Sequence, residues 1–347
     1  MPHHICAITG DGIGREVVPA AVRVLTALLP ELRVTWAEAG FDCFTERGTP
    51  VPSETLDAIG AAEATLFGAT SSPSSPVQGY RSAIVALRRH FRLFGCVRRA
   101  TSVQLTGVRP GIDMLIVREN TEDLYVGRET AYGDYAEATR LISAGASRRI
   151  ARLACDLARQ TGRSRITIVH KANILPVTDG LFRQMARSVI DDYPDLRVDE
   201  LLVDTAAMHM VTDPERFDVI LTTNVFGDIL SDIAAGLTGG LGLAASANVG
   251  EPGPAIFEPV HGSAPDIAGR DVANPLAMLR SAALALQHMG ESTLAAGLDG
   301  AIDAAIAGPI KTPDLGGTAT TGDVVADVLR RLSEAGALPR TVAGSAS

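Results

Sequence analysis

The chain is poor in aromatic residues and in cysteine. Phe, Trp and Tyr make up 4% of its 347 residues, so aliphatic side chains and alanine must fill most of the core. The four cysteines, Cys6, Cys43, Cys96 and Cys155, are scattered and form no CxxC pair. This pattern favours reduced thiols in a cytoplasmic protein.

Long hydrophobic runs and an excess of positive charge are also missing. No stretch approaches the roughly 20 apolar residues of a membrane span. The first residues lead directly into a short apolar run at 5–8, and no signal peptide is visible. The formal net charge of −9 argues against broad nucleic-acid binding, which needs a net positive face. Neither a membrane nor a nucleic acid is therefore expected as a partner.

Short β-branched runs alternate with longer segments rich in Ala, Leu and Arg. At about 150 residues per domain, the length predicts two domains. The alternation predicts an α/β fold with a mainly parallel sheet. Strands are predicted at 5–9, 64–67, 114–118, 165–169 and 217–222. Helices are predicted at 15–29, 82–91, 144–161, 178–191, from about 227, 276–289 and 323–335.

A glycine-rich segment, Gly10-Asp11-Gly12-Ile13-Gly14, follows the first predicted strand. Its glycines stand at alternate positions, whereas the Rossmann fingerprint is G-x-G-x-x-G. No acidic residue closes a strand about 20 positions later in the way that fingerprint requires. The segment therefore indicates a turn between a strand and a helix, and a Rossmann fold is not predicted. A second turn-rich segment at 261–266 has small residues that let a ligand approach the backbone.

Two aspartates, Asp228 and Asp232, follow the carboxyl end of the apolar run at 217–222. They are four residues apart, so on a helix their carboxylates share one face. Proteins of the α/β class place their sites at the carboxyl ends of strands. Two carboxylates there suit Mg²⁺ or Mn²⁺, which prefer oxygen ligands. A solvated acidic face is the competing interpretation of this spacing.

Six arginines lie within residues 80–99, and Arg118 follows at the end of another predicted strand. Arginine clusters bind carboxylates through bidentate, charge-assisted hydrogen bonds. A solvated helix face explains Arg89 or Arg92. It explains Arg98 and Arg118 less well, because both end apolar runs.

Two further residues are candidates for proton transfer. Lys171 follows the predicted strand at 165–169, and a lysine near a cation gives up its proton more easily. Tyr125 could be a second proton donor. Each residue taken alone also fits an ordinary surface or packing role.

Together these segments resemble the β-decarboxylating dehydrogenases, the family of isocitrate, isopropylmalate, homoisocitrate and tartrate dehydrogenases. The resemblance runs from about Ile5 to Val328, and its pattern is closest to the homoisocitrate and isocitrate types. The motifs that carry it are Gly10-Asp11-Gly12-Ile13-Gly14, Leu87-Arg88-Arg89, Val117-Arg118-Glu119-Asn120-Thr121-Glu122, His170-Lys171-Ala172-Asn173, Thr222-Thr223-Asn224 with Gly227-Asp228-Ile229-Leu230-Ser231-Asp232, and His261-Gly262-Ser263-Ala264-Pro265-Asp266-Ile267-Ala268-Gly269.

The resemblance implies an α/β, isopropylmalate-dehydrogenase-like fold of two domains with a mainly parallel sheet. A large cofactor-binding domain would comprise residues 1–94 and 238–347. A small domain, residues 95–237, would carry the dimer interface and the metal site. The active form would be a homodimer with shared active sites, or a tetramer, because Lys171 and Asp204 would act in the partner's site.

The resemblance also implies a set of site residues. Tyr125 and Lys171 would be catalytic, and Ser82, Arg88, Arg98 and Arg118 would bind the substrate carboxylates. Asp204, Asp228 and Asp232 would bind Mg²⁺ or Mn²⁺. The NAD site would be formed by Ile13, Asn173, Glu258, His261, Gly262, Ser263, Ala264, Asp266, Ile267, Asn274 and Asp314. Asp266 would repel the 2′-phosphate of NADP⁺ and so favour NAD⁺, whereas NADP⁺-using relatives carry Lys and Tyr at the positions of Asp266 and Ile267.

The implied reaction is the oxidation and decarboxylation of a 3-substituted malate, a small hydroxy di- or tricarboxylate. Val85 stands where homoisocitrate enzymes have arginine, and Ser82 matches a serine that meets the third carboxylate in the isocitrate type. Ile84 replaces an asparagine of that type. The hydroxyl and the spare arginines favour an anionic substituent, as in isocitrate or homoisocitrate. Next in order come 3-phosphonomethylmalate, then 3-isopropylmalate and tartrate.

Three rival functions have different sequence signatures. A non-catalytic regulatory subunit would keep the fold and lose the chemistry, and the joint presence of Tyr125, Lys171, Asp204, Asp228 and Asp232 argues against it. A dehydrogenase that transfers hydride alone would release no CO₂. An RNA-binding protein would need the arginine-rich region to outweigh the acidic balance.

Overall fold

The structure, a computed structural model, describes residues 2–71, 73, 75, 77–251 and 253–339. Within them the strands are β1 His4–Gly10, β2 Arg33–Ala37, β3 Ala64–Ala69, β4 Gly95–Thr101, β5 Asp113–Glu119, β6 Glu129–Ala131, β7 Ala136–Ala138, β8 Arg165–His170, β9 Arg197–Leu202, β10 Val219–Thr222, β11 Ala245–Val249 and β12 Ile256–Pro259. The α-helices are α1 Gly14–Leu28, α2 Phe41–Arg47, α3 Ser53–Ala61, α4 Ala83–His90, α5 Ala144–Gln160, α6 Thr178–Ile190, α7 Val203–Thr212, α8 Asn224–Leu237, α9 Leu276–His288, α10 Ser292–Ala307 and α11 Thr321–Glu334.

The predicted strands and helices are confirmed, with shifts at their ends. The helix expected from about Gly227 begins at Asn224, directly after Thr223, whose backbone is extended. Seven of the described strands were not predicted from the sequence: β2, β4, β6, β7, β9, β11 and β12. The side chains of the edge strands β2 and β9 are largely exposed or half-buried, so these two lack the apolar runs that mark the predicted strands. Strands β11 and β12 are buried but only five and four residues long.

The chain folds into two compact units. The first contains the described residues of Met1–Ile84 and Ile256–Ser347, and the second is Val85–Ala255. The segments 85–94 and 238–255 thus fall in the second unit. Segment 238–255 belongs to the second unit because its strand β11 pairs antiparallel with β4, with Ala247 opposite Val97.

Four parallel strands form the sheet of the first unit, in the order β2-β1-β3-β12. The side chains of β3 are buried throughout and those of β1 are mostly buried, as in parallel sheets covered on both faces. Helices α1 and α9 pack on this sheet.

The sheet of the second unit has the order β11-β4-β5-β10-β8-β9. Strands β11, β4 and β5 are antiparallel neighbours, whereas β5, β10, β8 and β9 run parallel. The mainly parallel α/β class is therefore confirmed. Helices α5 and α6 cover one apolar cluster of this unit, and α7 and α8 cover another.

The glycine-rich segment is a turn, as predicted. Gly10 and Gly12 have φ values of +66° and +54°. A Cβ on Gly12 would lie 2.0 Å from the carbonyl oxygen of Ser263, so no larger residue fits there. The buried carboxylate of Asp11 accepts hydrogen bonds from the backbone N–H groups of Phe41, Asp42 and Ser71, at 2.8, 3.0 and 2.7 Å. Asp11 thus fixes this turn and the start of α2.

The structure also shows the state of the cysteines and the length of the helices. All four cysteines are buried free thiols. In the part of the chain that the structure describes, every helix is too short or too polar to span a bilayer.

An ion pair at the start of the chain predicts a pH-dependent stability. His3 lies 2.9 Å from Glu63 and 3.2 Å from Glu291, and the hydrogen bond to Glu63 raises the His3 pKa. The stabilisation is fully present below the unfolded-state pKa of histidine and is lost as pH rises through the raised value. We expect His3→Gln to lower Tm by about 1–2 °C near pH 5.5 and by less near pH 9.

The measurement is the difference in thermal unfolding between the wild type and His3→Gln across this pH range. A background of Glu63→Gln with Glu291→Gln is the control, since it removes both partners. A Tm difference that stays constant with pH in the wild-type background would contradict the assignment.

Candidate active site

A buried arginine on β5 forms the centre of the site. The Arg118 side chain is 2% exposed, and its Nε and Nη2 donate to Asn224 Oδ1 at 2.8 and 2.6 Å. Its Nη1 donates to Asp228 Oδ1 on the first turns of α8. A Cβ on Gly227 would lie 2.6 Å from the Arg118 stem, so only glycine leaves room for this arginine. The Asn-x-x-Gly-Asp spacing of α8 is thereby explained.

A second arginine, Arg98 on β4, reaches the next turn of α8. Its Nη1 donates to the Ser231 hydroxyl at 2.6 Å and lies 3.2 Å from Asp232 Oδ1. Its Nη2 lies 3.9 Å from Asp228 Oδ1. Strands β4 and β5 are antiparallel neighbours, so the two arginines come from adjacent strands and face one helix.

Tyr125 completes this cluster from the short 3₁₀ turn Leu124–Val126. Its hydroxyl donates to Asp228 Oδ2, and the Arg118 guanidinium lies 5.1 Å from the centre of its ring. Burial raises the Tyr125 pKa, and the hydrogen bond to the Asp228 carboxylate raises it further. The phenol is therefore protonated at neutral pH and can act as a proton donor.

The two aspartates of α8 have different electrostatic surroundings. Burial disfavours the Asp228 carboxylate, but Arg118, Tyr125 and Arg98 outweigh it and lower the Asp228 pKa. For Asp232, burial is the larger effect and raises the pKa. Both carboxylates lie on the same helix face beside two guanidinium groups, as the spacing predicted. Their oxygens could serve as ligands of a hard cation.

Arg88, on α4, is buried near the amide of Asn248. Its Nε donates to Asn248 Oδ1 at 3.0 Å, and Asn120 Nδ2 donates to the same oxygen, also at 3.0 Å. Asn248 is itself fully buried on β11. The side-chain amides of Asn120 and Asn248 thus fix the orientation of the Arg88 guanidinium, which the family resemblance assigned to substrate binding.

Lys171 and Asp204 form a separate pair at the ends of β8 and β9. The Lys171 ammonium lies 2.6 Å from Asp204 Oδ1, and this hydrogen bond lowers the Asp204 pKa. Asp204 is not grouped with Asp228 and Asp232. In the described residues of one chain, no group of three His, Cys, Asp or Glu side chains could hold a metal ion.

Most of the predicted NAD-binding residues lie in the first unit. Ile13 N donates to Ser263 O at 2.9 Å, so the glycine-rich turn and the 261–264 segment are neighbours. Ala264 has φ +38°, which is rare for a residue with a side chain and often marks a functional segment. Asn274 Nδ2 donates to Asp314 Oδ2 at 2.9 Å. Asn274 and Asp314 therefore lie side by side.

His261 has a vacant acceptor within the described residues. Its Nδ1 donates to Gly262 O at 2.9 Å, which leaves Nε2 unprotonated. Burial lowers the His261 pKa, so the ring is neutral. Nε2 is buried without a hydrogen-bond partner in the described part of the chain. An N–H or O–H group of a bound cofactor would satisfy this atom.

The remaining predicted residues are placed as follows. Glu258 is buried on β12, Asp266 and Ile267 lie in one turn with Asp266 exposed, and Gly262 precedes this turn. Ser82 precedes α4 in the first unit, whereas Asn173 is exposed after β8 in the second unit. The structure thus brings together Arg98, Arg118, Tyr125, Asp228 and Asp232.

Sequence reasoning missed the residues that hold the site in shape. Asn224, Ser231 and Asn248 contact the candidate arginines, and Arg140 and Asp123 lie behind Tyr125. Helical spacing could have found two of them. Asn224 and Ser231 lie four residues before and three residues after Asp228, so on α8 they share its helix face. Asn248 and Arg140 had no such signal, because their partners are far away along the chain.

Comparison with known proteins places most of the chain, residues 4–328, in one family. The family model described as isocitrate/isopropylmalate dehydrogenase matches residues 4–328. The chain is 52% identical over 321 residues to the isocitrate/homoisocitrate dehydrogenase of Thermus thermophilus, covering 92% of this chain and 96% of that protein. It is 47% identical over 333 residues to the 3-isopropylmalate dehydrogenase of Methanothermobacter thermautotrophicus, covering 95% and 98%.

A solved structure gives the same result. The crystal structure of isocitrate dehydrogenase from Methylococcus capsulatus superposes with a TM-score of 0.91 at 42% identity and covers 95% of this chain and 99% of that one. The resemblance expected from the motifs is confirmed. The chain therefore belongs to the isocitrate/isopropylmalate dehydrogenase family of decarboxylating dehydrogenases.

Proposed function

We propose that this enzyme catalyses the NAD⁺-dependent and metal-dependent oxidative decarboxylation of a malate with an anionic substituent at C3. The observation that carries the proposal is the convergence of Arg98, Arg118 and the Tyr125 hydroxyl on Asp228 and its neighbour Asp232. One cluster thus contains guanidinium groups that can bind substrate carboxylates, carboxylate oxygens that can bind a metal, and a phenol that can donate a proton.

The donor set suits Mg²⁺ or Mn²⁺. Asp228 and Asp232 supply carboxylate oxygens, which hard cations prefer to nitrogen or sulfur. Asp204 would be the third carboxylate, contributed by a second subunit. When bound, the cation would supply Lewis-acid polarisation of the substrate's hydroxyl or keto oxygen.

The surface of α7 and α8 supports a dimer. Met208 and Val211 on α7 and Ile229 on α8 are 54%, 60% and 55% exposed. Apolar side chains exposed together on packed helices commonly mark an interface. We infer a homodimer, or a tetramer built from it, in which Lys171 and Asp204 of one subunit complete the site of the partner.

Lys171 and Tyr125 would divide the proton transfers. Lys171 would accept the proton of the 2-hydroxyl, and NAD⁺, when bound, would supply the acceptor for the hydride of C2. The β-carboxylate would then leave as CO₂, and the electrons of the broken C–C bond would form an enolate. Tyr125, protonated at neutral pH, would donate its proton to C3. The same phenol is oriented by its hydrogen bond to Asp228 Oδ2.

The cofactor residues of the first unit support a dinucleotide. Three observations support this: the unpartnered His261 Nε2 acceptor within the described residues, the Asn274–Asp314 hydrogen bond, and the close approach of Gly12 to Ser263. Asp266 is exposed, so its carboxylate is available for ribose hydroxyls and would repel a 2′-phosphate. NAD⁺ is therefore the proposed cofactor.

The substituent is proposed from charge. Arg88, buried in the second unit, adds a third guanidinium to Arg98 and Arg118. Three cations suit a substrate with a third negative group, such as isocitrate or homoisocitrate. The relatives named after isopropylmalate keep an apolar substituent as the alternative, since Ile84 and Val85 could line a pocket for it. The other alternative substrates are 3-phosphonomethylmalate and tartrate.

The experiment that tests the proposal is NADH formation by the purified protein with Mg²⁺. The substrates are isocitrate, homoisocitrate, 3-phosphonomethylmalate, 3-isopropylmalate and tartrate, each with NAD⁺ or NADP⁺, and CO₂ is measured in parallel. We expect an anionic substrate with NAD⁺ to give the highest kcat/KM, with one CO₂ released per NADH. Preference for 3-isopropylmalate would overturn the anionic pocket, and NADH without CO₂ would overturn the decarboxylation.

A charge reversal tests the cofactor assignment. We expect Asp266→Lys to raise the KM for NAD⁺ about tenfold, because a hydrogen bond of about 1.4 kcal/mol to the ribose is lost. Asp57→Lys makes the same charge change at an exposed position of α3 and serves as the control. An unchanged KM for NAD⁺ in Asp266→Lys would remove this residue from the cofactor site.

Mixing two inactive variants tests whether the sites are shared. We expect Tyr125→Phe and Lys171→Met each to abolish turnover while the dimer stays folded. Subunits exchanged between them should recover about one quarter of wild-type activity, since half the dimers are mixed and each has one intact site. Activity that never returns, despite mixed dimers detected by mass spectrometry, would show that each subunit uses its own Lys171.

A further inference from the structure

Arg140 joins two buried carboxylates that the proposed mechanism does not use. Its Nε donates to Asp123 Oδ1 at 2.6 Å, and its Nη1 donates to Asp179 Oδ1. Its Nη2 donates to the Thr223 hydroxyl at 3.0 Å. The Asp123 and Asp179 side chains are fully buried, and that of Arg140 is 14% exposed. Two longer hydrogen bonds, from Nη1 to the Thr178 hydroxyl at 3.5 Å and from Nη2 to Asp123 Oδ2 at 3.4 Å, bring the total to five, all to groups of the second unit.

The first carboxylate, Asp123, fixes the segment that carries Tyr125. Asp123 Oδ1 accepts from the backbone N–H of Leu124 at 2.9 Å, and its Oδ2 accepts from Val225 N at 3.1 Å. These bonds tie the 3₁₀ turn of Tyr125 to the first residues of α8. Asp123 has φ +70°, a backbone conformation that persists only where its surroundings hold it.

The second carboxylate, Asp179, fixes the backbone of Lys171. Asp179 Oδ2 accepts from Lys171 N at 2.6 Å. This bond fixes the Lys171 backbone directly after β8, and the Lys171 side chain extends from there to Asp204. Arg140 therefore touches one carboxylate behind each of the two proposed proton-transfer residues.

The chemistry of the network requires arginine. Two buried carboxylates are stable as anions only when a cation and hydrogen-bond donors compensate them. A guanidinium presents its N–H groups in a planar fork and can bind both, whereas an ammonium is a point charge on a flexible stem. The Arg140 guanidinium also lies 5.0 Å from the centre of the Phe226 ring, which fixes its plane.

We propose that Arg140 is a positioning residue that sets the turn of Tyr125 and the backbone of Lys171 relative to each other. This inference rests on the proposed function, in which these two residues transfer protons. In a dimer with shared sites, Tyr125 acts in its own subunit and Lys171 in the partner's site. One arginine would then tie the geometry of two active sites together.

A purely structural role is the alternative, and Arg163 serves as the control for it, although its carboxylates, Asp113 and Asp218, are 46% and 23% exposed. Arg163 is also a buried arginine between two carboxylates of the second unit. Its Nη2 donates to Asp113 Oδ1 at 2.7 Å and its Nη1 to Asp218 Oδ1 at 3.0 Å. Its side chain is 8% exposed. Within the described residues, the hydrogen bonds of Asp113 and Asp218 go to groups other than Tyr125, Lys171 and the aspartates of α8.

The first test compares Arg140→Lys with Arg163→Lys in steady-state kinetics of the full-length enzyme. We expect Arg140→Lys to lower kcat at least about tenfold, because misplacement by about 1 Å has effects of this size. The substrate KM should change by less than about threefold, since Arg88, Arg98 and Arg118 stay in place. Arg163→Lys should keep kcat within about twofold. Equal losses of kcat in the two variants would overturn the proposal.

The second test reads the positions directly and needs no turnover. Amide hydrogen exchange should rise in Arg140→Lys at 124–127 and at 171–175, and in Arg163→Lys at neither segment. Exchange unchanged at both segments in Arg140→Lys would overturn the proposal, even if wild-type turnover fails on every substrate. If the wild-type enzyme turns over and Arg140→Lys has the same kcat, the inference about Arg140 is overturned and the proposed function still stands.

A milder variant keeps the test decisive if Arg140→Lys does not fold. Asp179→Asn removes the charge of one arm and leaves Asp123 paired with Arg140. We expect faster exchange at 171–175 with unchanged exchange at 124–127, together with a lower kcat. Exchange rising equally at both segments, or a kcat equal to that of the wild type, would count against the proposal.

Discussion

The pairing of buried arginines with carboxylates and amides is the interaction on which this site depends. A guanidinium removed from water is stable only where fixed partners replace its hydration, and removing one partner of such a pair typically costs about 3–5 kcal/mol. Arg118 meets this condition through Asn224 and Asp228. Gly227 makes the approach possible, because a side chain there would occupy the path of the Arg118 stem. The first turn of α8 is therefore shaped around one charge.

The same principle extends behind the site through Arg140. Its carboxylates hold backbone N–H groups, so charge is converted into fixed positions of the chain rather than into contacts with a substrate. Preorganisation of this kind matters for proton transfer, because a donor must stand within hydrogen-bond distance of the reacting atom. The network links the start of α8, the turn of Tyr125 and the end of β8.

The curated relatives of this chain carry different substrate names. The chain is about equally similar to proteins named after isocitrate, homoisocitrate and isopropylmalate. The reaction common to these names acts on the malate part, whereas the names differ in the substituent at C3. We therefore expect the chemistry on the malate part to reside in the α8 cluster and the choice of substituent to reside near Ser82 and Val85. An active-site framework and a specificity pocket can change separately in this way.

The sequence by itself determined the fold class, most central strands and helices, and the family. Apolar runs such as β3 and β8 fill both faces of a sheet, so their positions follow from local composition. The pairing of Asp228 with Asp232 followed from helical spacing alone. Only the tertiary structure decided that Asn248 meets Arg88 and that Arg140 joins Asp123 to Asp179. These partners lie on elements far apart in the chain, and no local periodicity reports which buried charge will face which.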